Sequence, residues 1–137
     1  AIPGVAHTVI NRGFYMPVYA PYFAVLVMIY MVLCARVVVL RRRHKVGIGD
    51  GGNHDLKRAI RAHANFTENV PMAALLVALA ANTTSPDWIH GLCGALILGR
   101  LIHALGLSKN PGVSFGRFYG TGLTWGTMCV AAALLLT

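Results

Sequence analysis

Between Pro17 and Leu40 the chain reads PVYAPYFAVLVMIYMVLCARVVVL, and Arg36 is the one charged residue in that stretch. About 20 apolar residues, wound at ~1.5 Å each, cross the hydrocarbon core of a bilayer. The run is therefore expected to be a transmembrane helix, with Arg36 snorkelling toward the interface or facing inward. It ends in Arg41-Arg42-Arg43-His44-Lys45, and the KVGIGDGGNHD that follows from Lys45 to Asp55 has the glycines and aspartates of a loop.

Outward from that run, the same reasoning predicts three more helices. Asn53 or Asp55 can cap a second one over residues 55–81, longer than the bilayer core and kinked at Pro71. The link NTTSPD has no basic residue, and Trp88 fits an interfacial anchor beside it. A third helix over 88–107 carries Gly91, Gly94 and Gly99 for close packing, and SKNPGV is a second turn. A fourth over 115–136 holds two small-xxx-small pairs, Gly116 with Gly120 and Gly122 with Gly126. Residues 1–16 read as an arm or short interfacial segment, and a removable signal peptide is not expected. The fold class is an all-α membrane protein, a four-transmembrane-helix bundle forming a single domain over 1–137.

Composition points the same way. Of 137 residues, 56% are hydrophobic and 12% charged, more apolar surface than one small soluble core hides. The net charge of +8 raises the question of nucleic acid. Eight of the twelve basic residues, however, lie between Arg36 and Arg61, around one polar connection. That clustering is the positive-inside pattern of membrane topology, and no nucleic-acid partner is expected. It predicts cytoplasmic loops at Arg41 to Asp55 and Ser108 to Ser114, with Asn82 to Asp87 and both ends on the other side. Cys34, Cys93 and Cys129 sit within apolar runs and read as small buried hydrophobes rather than redox or metal groups. The histidines show no HExxH-type ligand spacing, and GDGG lacks the Lys-Ser/Thr of a phosphate loop.

The chemistry is concentrated in RAIRAHANFTE, residues 58–68. Arg58, Arg61, Asn65 and Glu68 recur at steps of 3, 4 and 3, one polar stripe on a helix heading into lipid. An ionisable group at such depth costs at least ~2.5 kcal/mol unless paired or hydrated. Glu68 has no basic residue three or four positions away on its own helix. Its partner is Arg100, Arg117, a leaning Arg61, or the ammonium of a ligand. Arg58, Arg61, Arg100 and Arg117 all fall at one membrane face, an arrangement suited to a small anionic ligand with a positive amine, because guanidinium forks bind carboxylates bidentately. An inter-helix ion network holding the bundle together is the alternative reading of the same stripe.

The run Arg58-x-x-Arg61-Ala62-x-x-Asn65-x-x-Glu68, followed by Pro71, resembles the signature of the MAPEG family, which includes microsomal glutathione transferases, leukotriene-C synthase and prostaglandin E synthase. The likeness extends over about Pro17 to Trp125. It is similar to small bacterial members in the Gly49 to Gly52 loop and in Gly122-Leu123-Thr124-Trp125. The resemblance implies a homotrimer of four-helix subunits in the bacterial inner membrane, with glutathione as co-substrate bound between subunits near the cytoplasmic face. Arg61, Asn65 and Glu68 then match glutathione contacts, with Arg58 beginning the motif. His63 matches the face reaching a neighbour's ligand, Arg100 the arginine late in helix 3, and Arg117 the arginine that stabilises the glutathione thiolate. Tyrosines that many eukaryotic members carry are His103, Leu107 and Asn69 here. The implied function is glutathione transfer, or glutathione-dependent peroxide reduction, on a hydrophobic small-molecule substrate drawn from membrane lipids. The alternative is a non-catalytic lipid- or partner-binding protein on the same scaffold.

Overall fold

In a computed structural model, which describes residues 16–109 and 114–137, the chain forms four helices: α1 Ala20–His44, α2 His54–Ala80, α3 Pro86–Lys109 and α4 Phe115–Leu134. No strand occurs among the described residues. All but Met16 of the expected N-terminal arm lies outside them, as do residues 110–113 of the second turn.

The helix ends follow from local chemistry. α1 opens with Pro21 in its first turn, where the missing N–H leaves no bond unmade. It runs past the expected end through Arg41, Arg42 and Arg43 to His44, because arginines are good helix formers and cations suit the negative end of the helix dipole. The stop comes at Lys45 in the left-handed conformation (φ 55°), with the Val46 N–H donating to the Arg41 carbonyl at 3.0 Å. Arg41 then reaches over the loop, its Nη1 donating to the carbonyls of Gly47 at 3.1 Å and Gly49 at 3.0 Å. The basic run therefore shapes the loop as well as supplying charge. Gly49, Gly51 and Gly52 take φ of 70°, 56° and 74°, the left-handed region that a Cβ disfavours. Of the two expected caps for α2, Asn53 serves: its Oδ1 accepts from the Leu56 N–H at 2.9 Å. α2 passes through Pro71 without ending.

α3 and α4 form the closest pair, and glycine is the reason. A Cβ added at Gly120 would lie 2.6 Å from the Gly99 carbonyl oxygen and 2.7 Å from the His103 Cβ, and one at Gly116 would lie 2.8 Å from the Ile102 carbonyl oxygen. The pair Gly116 and Gly120 therefore seats α4 on α3, across from Gly106 and Gly99. Gly122 and Gly126, and likewise Gly91 and Gly94, have nothing within 4 Å of where a Cβ would stand. The expectation of packing at those four positions does not hold within the bundle, because they sit on outward faces of their helices.

Two buried clusters complete the core, one around Leu26, Phe66, Val70 and Leu96, the other around Val77, Ile89, Cys93 and Ala131. α1 packs on α2 and α3, and α2 on α3 and α4. Much of α1 faces outward with its apolar side chains exposed, Met28 at 65% and Val32 at 66%. Water tolerates no such surface well, whereas hydrocarbon matches it. By length and composition alone, α1 and the Pro86–Leu107 part of α3 can cross a membrane. α2 and α4, also expected as spans, do not meet that composition because they carry much of the polar chemistry.

Candidate functional site

The end of the bundle that holds the α1–α2 loop also holds a polar cavity of about 290 Å³. α2 lines it with His54, Lys57, Arg58, Arg61 and Asn65, α3 with His103 and Leu107, and α4 with Arg117. Three members of the expected stripe are thus on one wall, and Arg117 faces them from α4. Helical spacing explains the wall: His54, Arg58, Arg61 and Asn65 advance by 4, 3 and 4 residues, so the stripe begins a turn earlier than Arg58. His103 follows Arg100 by three residues and Leu107 follows His103 by four, the same signal on α3. That second stripe, once read on its helix, locates the α3 wall.

Arg100 stands behind Asn65. Only 2% exposed, it donates from Nη1 to the Asn65 Oδ1 at 2.8 Å. Its Nε and Nη2 are buried without a hydrogen-bond partner among the described residues. A buried guanidinium with unmet donors is costly, and Arg100 touches the polar cavity only through Asn65, since it lines neither cavity itself. Arg58 is divided in its attachments. It forms an ion pair with Asp55 one turn earlier, while its Nε is buried without a partner. The Arg58 guanidinium holds the Asp55 carboxyl below its ordinary range, first by the hydrogen bond and then by its charge.

Glu68 and His63 are not brought to this cavity. Glu68 is exposed on α2 and makes no ion pair among the described residues. His63 turns toward α1, its ring 5.2 Å from that of Tyr30 and its Nε2 buried without a partner.

A second cavity, about 540 Å³, adjoins the first and shares Asn65, His103 and Arg117 with it. Its other walls are Phe118, Thr121, Gly122 and Trp125, so a cationic chamber opens directly into an aromatic groove on the outer face of α4. The groove is tied to the stripe by Asn69. The Trp125 Nε1 donates to the Asn69 Oδ1 at 3.3 Å, and the Asn69 Nδ2 donates to the Asn65 carbonyl at 2.9 Å. His103 and Leu107 line the polar cavity, and Asn69 anchors the groove.

A sequence profile described as the MAPEG family matches residues 19–137, all four helices. The chain belongs to the MAPEG family. It is also 39% identical over 71 residues to the inner membrane protein YecN of Escherichia coli (strain K12), and equally to the same protein of Escherichia coli O6:H1. The aligned part is 51% of this chain, which spans about half the length of those relatives (54%). MAPEG proteins are membrane proteins, and the outward apolar face of α1 is what a bilayer accommodates.

Proposed function

We propose that this MAPEG protein is a glutathione transferase or glutathione-dependent peroxidase that acts on lipophilic electrophiles. The observation that carries the reading is Arg100, buried with two unmet donor nitrogens behind Asn65, next to a cavity walled by Arg58, Arg61 and Arg117. Glutathione offers two carboxylates to such a wall and a single ammonium. Guanidinium forks suit the carboxylates. For the ammonium the lining residues offer no carboxylate, and Glu68 is the unpaired acid on the same helix. In a homotrimer, Glu68 of one subunit would meet the ligand held at the boundary with the next, whereas His63 packs on Tyr30 of its own bundle.

The thiol then lies where the polar cavity meets the aromatic groove, beside Arg117. Lowering a thiol pKa from ~8.5 by one unit takes ~1.4 kcal/mol of preferential stabilisation of the thiolate, within reach of one partly desolvated guanidinium. The lipophilic substrate reaches the sulfur from the bilayer along Phe118, Gly122 and Trp125. Sulfur attacks the electrophilic carbon and the leaving group departs. With a hydroperoxide, the thiolate attacks the terminal oxygen, the O–O bond breaks and the alcohol leaves once protonated; a second glutathione thiol then displaces water from the sulfenic acid to give the disulfide.

One observation favours the second reading, a non-catalytic lipid-binding protein. A cavity lined by cations without a carboxylate also suits a phospholipid phosphate. Turnover of an aryl halide by the purified protein separates the two. The transferase reading expects conjugate, and a drop of about 10²-fold in Arg117→Ala with partial recovery in Arg117→Lys. Glutathione binding without conjugation of any aryl halide supports the lipid-binding protein instead.

A further inference from the structure

His103 belongs to both cavities, and its ring makes no hydrogen bond among the described residues. It is 6% exposed, yet neither ring nitrogen is among the buried unpartnered atoms, so the small exposed part faces the cavities. Its position is fixed from behind. Gly120 of α4 comes so close that a Cβ there would stand 2.7 Å from the His103 Cβ and backbone nitrogen. The two other side chains at the junction are committed otherwise. Asn65 accepts from Arg100, and Arg117 is a permanent cation that cannot take up a proton.

Resting on the glutathione reading, we propose that His103 is the base that removes the thiol proton of bound glutathione. The S–H bond breaks as an N–H bond forms on the imidazole, the electron pair stays on sulfur beside Arg117, and the proton passes from the ring to water at the cavity mouth. The charged groups that share the polar cavity with His103 are Lys57, Arg58 and Arg61 from α2 and Arg117 from α4, and Arg100 lies one turn before it on its own helix; α1 supplies no lining residue. No carboxylate lines either cavity, so among the lining side chains the imidazoles are the proton acceptors. The other imidazole, His54, is exposed on the first turn of α2 and lines the polar cavity alone, away from the groove where the electrophile must meet the sulfur.

Rapid mixing of glutathione with the purified full chain, followed by the ultraviolet absorbance of the thiolate, tests this assignment. His103→Gln keeps a polar side chain of similar length without a proton-accepting nitrogen. It should slow thiolate appearance by about 10²-fold, the usual scale of a positioned general base. S-methylglutathione, which has no proton to give, should still bind. A His103→Gln protein that forms thiolate at the wild-type rate overturns the inference and leaves the glutathione reading standing, as does a loss that follows His54→Gln instead. Should His103→Gln and the smaller His103→Asn both fail to bind S-methylglutathione, His103 is a packing residue and the inference falls. Wild-type protein that binds glutathione without forming thiolate overturns inference and reading together.

Discussion

At Arg100 the guanidinium gives one hydrogen to Asn65 and has buried nitrogens to spare. A group that serves only the bundle and one that waits for an anion respond oppositely to removal. Arg100→Met takes away a buried charge, a change that is often neutral or stabilising for a fold. Its expected effect is therefore a bundle that melts no lower in detergent but binds glutathione more weakly by about 1.5–3 kcal/mol, the scale of hydrogen bonds to a charged group. Calorimetric melting and titration on one preparation check both halves. Glu68→Gln should weaken glutathione while leaving an analogue without the amino group unaffected. Normal glutathione binding by a Glu68→Gln protein whose oligomer dissociates would assign the carboxylate to assembly instead. The cavity wall was legible in the sequence because Arg58, Arg61 and Asn65 share a helical face. Glu68 continues the same steps but lies ~4.5 Å further along the axis, past the residues that line the cavity. Spacing fixes a face and leaves open how deep a chamber extends. The spacing of Arg100, His103 and Leu107 put His103 on the α3 wall, but its place at the junction of the two cavities depends on α4 closing over it.

Between elements, the decisive contact is α3 against α4. Gly120→Ala places a methyl group 2.6 Å from the Gly99 carbonyl oxygen, which no rotamer change relieves, because the obstacle is backbone. The helices must part, at an expected cost of about 1–3 kcal/mol, and the cavity wall carrying Arg117 moves with them. Gly122→Ala meets open space and should leave the subunit's melting temperature nearly unchanged. Thermal unfolding of the two variants side by side measures the difference. Equal destabilisation would contradict the helix pairing described here. The glycine pairs were visible in the sequence, but two pairs on neighbouring faces of one helix are equivalent until a partner helix selects one. The Asn53 cap and the loop glycines were readable because turn chemistry is local. The clasp of Arg41 on the Gly47 and Gly49 carbonyls was not, since a basic run next to a span is already accounted for by topology.

Taken whole, the bundle is an apolar post, α1, beside three helices whose polar residues gather at one end. Hydropathy identifies α1 and α3 directly, while α2 and α4 dilute their apolar character with the arginines, asparagines and glycines of the site. Four spans with the α1–α2 loop in the cytoplasm are the expectation from the basic clustering. With Cys34, Cys93 and Cys129 replaced, a cysteine at Thr84 should react with an impermeant maleimide added to intact cells, and one at Gly51 should stay protected until lysis. The reverse pattern would invert the topology. Under the proposed reaction, a cationic chamber opening into an apolar groove would let the water-soluble reactant arrive from one side and the apolar one from the bilayer. Titration of glutathione into the purified wild-type protein, read as thiolate ultraviolet absorbance, reports on that chamber most directly. The expected result is a saturable thiolate signal at neutral pH that disappears in Arg117→Ala while the peptide still binds; no signal in the wild type, or an undiminished one in Arg117→Ala, would contradict it.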